Sequence, residues 1–133
     1  MYLLDTSIIL EFLLDQEKAD DVEWFLRETR LENLYISDFT LYSLGIALLR
    51  RNMHEAFLRV ANDLLVLGGV HLARVAVEDM ENIVSAVRRF NIDFDDAYQY
   101  TIAAKYSLTI LSFDSDFDRT DLGRRVPAEI IQG

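Results

Sequence analysis

The apolar residues change period along the chain, and each change marks an element. Tyr2-Leu3-Leu4 is a short apolar run closed by Asp5. It is too short for a helix and fits a strand buried on both faces. TSIILEFLL then reads as a short helix capped by Thr6 or Ser7. Residues 17–31 predict a charged amphipathic helix with Val22, Phe25 and Leu26 inward. LYIS at 34–37 is a second short strand, and Asp38 stands where it can cap the following helix, on which Leu41, Leu44 and Leu48 mark one face. Phe57, Val60, Ala61 and Leu64 recur at i, i+3, i+4 and i+7 in another helix, stopped by Gly68-Gly69. VHLA at 70–73 is a third strand. Met80, Ile83, Val84 and Val87 give a helix over 76–90. After NIDFDD come the helix AYQYTIAAKY and the strand TILSF at 109–113, and RRVPAEI predicts a last short strand.

Short apolar strands alternating with helices argue an α/β protein with a parallel sheet covered on both faces. In such sheets ligands gather at the carboxyl ends of the strands. The chain shows no internal repeat, low-complexity tract or Pro/Gly/Ser linker, and its 133 residues fit one domain spanning 1–133.

Composition narrows the chemistry. The absence of cysteine excludes a disulfide scaffold, a thiolate zinc site and a cysteine nucleophile. The longest uncharged stretch runs only from Phe39 to Leu49, far short of the ~18 apolar residues of a spanning helix. The opening MYLLDTS has no basic segment ahead of an apolar one, so no secretory signal is expected. The expectation is a cytoplasmic protein with no membrane association. A formal net charge of −10 is unfavourable for gripping nucleic acid through phosphate neutralisation. The acids serve solubility, or several of them converge on a cation.

Their placement favours convergence. Asp5 ends the first strand, Asp114 and Asp116 follow TILSF, and Asp95 and Asp96 open the helix leading into it. In a parallel sheet all five lie at one edge. Taken singly, each has a bland reading as a helix cap, a first-turn acid or a turn residue. Taken together, they form a cluster whose mutual repulsion a hard cation reverses. Mg²⁺ is held by a few carboxylates and retained waters, and such a site suits phosphodiester hydrolysis.

LLDTS near the amino end, FDDAYQYTIAAKY, and LTILSFDSDF, in this order and spacing, resemble a PIN domain. The resemblance covers nearly the whole chain. It implies a three-layer α/β/α sandwich with a central parallel sheet of four to five short strands. It also implies bound Mg²⁺ or Mn²⁺ and cleavage of RNA, as in small metal-dependent ribonucleases that include toxins of toxin–antitoxin pairs, with an antitoxin protein as partner. Asp5 matches the family's first aspartate, Asp96 the one opening the penultimate helix, and Asp114 the aspartate of a Thr-x-Asp segment in which Ser112 takes the Thr place. Asp116 matches a more variable acid, and Thr6 or Ser7 supplies a hydroxyl near the metal.

The family's glutamate in a T-L-x-E-L segment is replaced. Here the segment is Thr40-Leu41-Tyr42-Ser43-Leu44, with Ser43 at the acid's place. Asp38, and more remotely Glu11, are the nearby carboxylates that compensate in part. Two readings follow: a PIN-type ribonuclease using Asp5, Asp96 and Asp114, or a weakened PIN fold that binds RNA or a protein. A phospho-accepting receiver domain also gathers acids at a sheet edge, but it expects a lysine after its last strand, and the late lysine, Lys105, lies before TILSF.

The remaining candidates are weaker. His54 and His71 share no ligand-like spacing. The arginine pairs 50–51, 88–89 and 124–125, and Arg119 just beyond the acidic motif, read either as solvated helix ends or as RNA-phosphate contacts; the solvated reading is favoured for 88–89, and for Arg119 the two stand even. Tyr98, Tyr100 and Tyr106 fit core or interface. Helices 39–49 and 56–66 carry apolar residues on more than one face, Tyr42, Ile46 and Leu49 as well as Leu41 and Leu44, which predicts a homodimer. The PIN resemblance implies the same.

Overall fold

Tyr2–Leu4 (β1), Leu34–Ser37 (β2), His71–Ala73 (β3) and Thr109–Leu111 (β4) pair in parallel in the spatial order β3-β2-β1-β4. The computed structural model that shows this describes residues 1–132. The strands are short because each is an apolar run ended by a polar residue. Adjacent side chains face opposite layers, so Leu3 and Ile110 enter one core while Leu4 and Leu111 enter the other.

Helices cover both faces. Thr6–Leu13 (α1), Ala19–Glu28 (α2) and Asp38–Arg50 (α3) contribute Ile8, Val22, Phe25, Leu44 and Leu48 to one core, against which Phe57 and Val60 of His54–Val60 (α4) pack. Met80–Phe90 (α5) and Phe94–Tyr106 (α6) contribute Ile83, Ala86, Ala97 and Ile102 to the other. The result is the three-layer α/β/α sandwich, with a sheet of four strands. The chain steps outward from β1 to β2 to β3, then crosses back to place β4 on the other side of β1. The connections leaving β1 and β4 therefore diverge, and a crevice opens at their carboxyl ends.

Several local expectations are corrected. α1 is capped by Asp5, not Thr6 or Ser7, and the Asp5 side chain makes no capping bond because it is engaged elsewhere. α3 is capped by Ser37, whose Oγ accepts from Thr40 N at 2.9 Å, so Asp38 is the first helical residue and not the cap. The helix expected over 17–31 ends at Glu28, and a 3₁₀ turn at Leu31–Asn33 follows. The helix expected over 56–66 is α4 continued by a π-helical stretch, Ala61–Leu67. Val84 is 45% exposed, since Ile83 and Ala86 take the inward face of α5. RRVPAEI adds no strand: a single bridge joins Arg125 to Leu111, and Pro127, suited to a first helical turn, begins Pro127–Gln132 (α7).

Candidate active site

The crevice is built from the ends of β1 and β4 and from α3 and α6. Asp5 follows β1, where the chain leaves the sheet, and is half-buried. Its carboxylate receives three donors. Ser7 Oγ reaches Oδ2 at 3.0 Å, Ser112 Oγ reaches Oδ2 at 2.6 Å, and Gln99 Nε2 reaches Oδ1 at 3.0 Å. Ser7 also accepts from Phe113 N at 3.1 Å, and Ser112 accepts from Asp114 N at 2.9 Å. These two hydroxyls tie the ends of β1 and β4 together and aim the segment that carries the later acids.

Asp114 caps the 3₁₀ turn at Ser115–Arg119, its Oδ1 accepting from Asp116 N at 2.9 Å. Asp96 sits in the first turn of α6 and is 7% exposed, whereas Asp95 beside it is exposed. Carboxylate oxygens of Asp96, Asp114 and Asp116 lie within 4.8 Å of one another. Asp5 stands outside that tight group but shares a cleft of about 200 Å³ with Thr6, Ser43, Asp96, Gln99 and Asp114. Asp95 and Phe39 line the same cleft.

Electrostatics register the crowding. Burial first, and then the charges of Asp114, Asp95, Asp5 and Asp116, push the Asp96 carboxyl up to about 7. At neutral pH such a group is about half protonated, and a nearby positive charge favours its ionised form. The donor set is hard oxygen throughout, which fits a small divalent cation held by carboxylates and water and does not suit a soft metal.

The other expected residues fall as follows. Ser43 is half-buried and lines the cleft. Asp38 does not line it; its Oδ1 accepts from Tyr98 Oη at 2.7 Å and from Phe39 N at 2.9 Å. Burial, and then that hydrogen bond, push the Tyr98 hydroxyl up to about 12. Arg119 is 53% exposed in its side chain, lies 3.5 Å from Asp116, and donates to Asn91 O at 2.9 Å. His54 and His71 are both exposed, and His71 Nε2 lies 2.9 Å from Glu32 O.

Two residues of the site escaped the sequence reading. Gln99 is 1% exposed and donates also to Thr40 Oγ1 at 2.8 Å. Thr40 is fully buried, with the Thr6 and Ser37 hydroxyls at 3.2 and 3.3 Å. A signal for Gln99 was present: it follows Asp96 by three residues, and residues i and i+3 share a helix face.

Comparisons with known proteins agree with this architecture. The family model described as PIN domain matches residues 2–122. No curated protein matches the chain. Among solved structures, a toxin–antitoxin complex from Klebsiella pneumoniae superposes with a TM-score of 0.74 at 16% identity, over 96% of this chain and 98% of that one. The sarcin–ricin-loop-cleaving toxin VapC20 of Mycobacterium tuberculosis gives 0.75 at 19% identity, over 89% and 93%. FitAcB from Neisseria gonorrhoeae gives 0.70 at 28% identity, over 96% and 99%.

Proposed function

The chain belongs to the PIN domain family, and from that premise we propose that it is a metal-dependent ribonuclease, the toxin of a toxin–antitoxin pair, which hydrolyses phosphodiester bonds of RNA. The observation that carries this reading is the meeting of Asp96, Asp114 and Asp116 within 4.8 Å at the carboxyl edge of the sheet. Those three, with Asp5 beside them, are the residues to hold Mg²⁺ or Mn²⁺. When bound, such a cation polarises a phosphoryl oxygen and lowers the pKa of an attacking water. The chain's own work is orientation. Ser7, Ser112 and Gln99 hold Asp5 in place, and the Ser112 hydroxyl fixes the turn that carries Asp114. Arg119, anchored on the Asn91 carbonyl, offers the remaining face of its guanidinium to an RNA phosphate.

The partners follow from the same reading, with residues 1–133 acting as one cytoplasmic domain. A groove of about 370 Å³ between α1, α2 and α4 is lined by Ile8, Ile9, Phe12, Leu13, Leu26 and Val60, and an apolar segment of an antitoxin protein suits it. Tyr42, Ile46, Leu49 and Leu58 are 60, 55, 43 and 59% exposed, an apolar surface that suits a homodimer. No helix among the described residues is long and apolar enough to cross a membrane.

The test is cleavage of single-stranded RNA by the purified protein with Mn²⁺, with EDTA, and with Asp96→Asn. The expected result is Mn²⁺-dependent cleavage that EDTA abolishes and Asp96→Asn lowers at least a hundredfold. A second reading rests on Ser43, which lines the cleft without a charge: a weakened PIN fold that binds RNA or protein. RNA binding without cleavage at any Mn²⁺ concentration selects that reading.

A further inference from the structure

Gln99 is held in an arrangement that packing alone does not explain. Both hydrogens of its amide are in use, on Asp5 Oδ1 at 3.0 Å and Thr40 Oγ1 at 2.8 Å. Its Oε1 is buried and has no partner among the described residues. An unpaired buried carbonyl is costly, and leucine or methionine fills a similar volume without that cost. Turning the amide over offers no relief, because Oε1 would then face the Asp5 carboxylate, acceptor against acceptor. Asp5 therefore dictates how Gln99 sits.

The reverse also holds. A carboxylate oxygen offers about two lone-pair sites. Ser7 and Ser112 fill both on Asp5 Oδ2, whereas Oδ1 receives Gln99 alone. One site is left, on Oδ1, and the position of Gln99 decides where it points. Gln99 also joins Asp5 to Thr40, one turn before Ser43 on α3.

We propose that Gln99 is the positioning residue of this centre: its amide makes Asp5 a one-oxygen ligand of fixed direction and couples it to α3. The inference rests on the metal reading of the preceding section. Ligand-orienting partners of this kind change metal affinity about 10–100-fold when removed.

Titration calorimetry with Mn²⁺ and melting without metal test it, on the wild type, Gln99→Leu and Gln99→Met. The wild type binds Mn²⁺. Both variants lose at least tenfold in Mn²⁺ affinity while their metal-free melting temperature stays near that of the wild type, since removal of the unpaired oxygen offsets the two hydrogen bonds lost at Asp5 and Thr40. In an Asp5→Asn background, Gln99→Leu causes no additional loss, because Gln99 acts through Asp5. Variants that bind Mn²⁺ within threefold of the wild type overturn the inference and leave the metal reading standing. So does a variant that melts lower, or fails to fold, while its companion binds Mn²⁺ normally, because the role is then structural. A wild type that takes up no Mn²⁺ overturns both.

Discussion

Ser112 Oγ donates to Asp5 Oδ2 at 2.6 Å, a bond between residues 107 apart in sequence that closes the end of β1 onto the end of β4. Both strands stop at this point, so no backbone ladder holds the two loops beyond it. The hydroxyl shares that task with Ser7, which accepts from Phe113 N, and it also accepts from Asp114 N at 2.9 Å. One buried side chain thus sets the orientation of two acids.

Ser112→Ala removes both bonds. The variant is expected to lose about 1–3 kcal/mol of stability, the range for a buried polar group left without its partner. Mn²⁺ affinity should fall about tenfold or more, as for other partners of ligating groups. Urea unfolding and calorimetry read the two effects, and a drop in stability with metal affinity unchanged would show that Asp5 needs no such anchor.

Asp96 makes the metal-free protein sensitive to pH in the direction opposite to an ion-paired carboxylate. Its pKa rises from 3.8 to about 7 on folding, through burial first and then its acidic neighbours. The native state therefore holds a proton that the unfolded chain releases, and stability falls as pH rises from about 4 to about 7. In EDTA the melting temperature should decline across that window. Asp96→Asn should flatten the decline and melt higher at pH 7.5, while losing the stabilisation that Mn²⁺ gives the wild type. A decline that persists in Asp96→Asn would assign it to another group.

Much of the fold was legible because strands and acids coincide. Apolar runs closed by Asp5, Ser37 and the Ser112–Asp114 segment mark where strands end at a ligand edge, and alternation with helices leaves few topologies. What escaped has physical causes. Ser37 and Asp38 are both good caps, and a one-residue choice between them depends on Ser37 reaching Thr40 N. The apolar period over 56–66 does not distinguish an α turn from the wider π turn at Ala61–Leu67. Pro127 suits an edge strand and a first helical turn equally, and the helix is what forms. Gln99 was hidden by its surroundings, a polar residue inside AYQYTIAA, where neighbouring alanine and isoleucine signal core. Only its spacing of three residues from Asp96 could have marked the shared face.

Arg119 should contribute to RNA affinity and little to chemistry. It lies 3.5 Å from Asp116 and is more than half exposed, so it has a free face for a phosphate. Arg119→Ala is expected to raise KM severalfold with kcat within threefold. It should also lower the salt slope of RNA binding by about one contact. A fall in kcat with KM unchanged would instead place Arg119 at the reacting phosphate.

Ser43→Glu tests how much the missing acid costs. Ser43 lies on α3 and shares a cleft with Asp5, Asp96 and Asp114. Asp38 is a poor substitute, since its Oδ1 is taken by Tyr98 and Phe39 N and it stands outside that cleft. The acids already present outweigh a doubly charged cation, so the native site has charge enough to bind metal. On the ribonuclease reading, what it lacks is a carboxylate to orient the attacking water, and positioned general-base groups contribute about 10²–10⁴-fold. Ser43→Glu should therefore raise Mn²⁺-dependent cleavage of single-stranded RNA at least tenfold. It should also lower the metal-free melting temperature, because one more charge joins a repelling group. Both effects together locate the residue: a serine on the outer surface changed to glutamate shifts stability by no more than about 0.5 kcal/mol and leaves cleavage alone. Cleavage and Mn²⁺ affinity both unchanged in Ser43→Glu, and again in an Asp38→Ala background, would mean that this helix contributes nothing to the chemistry.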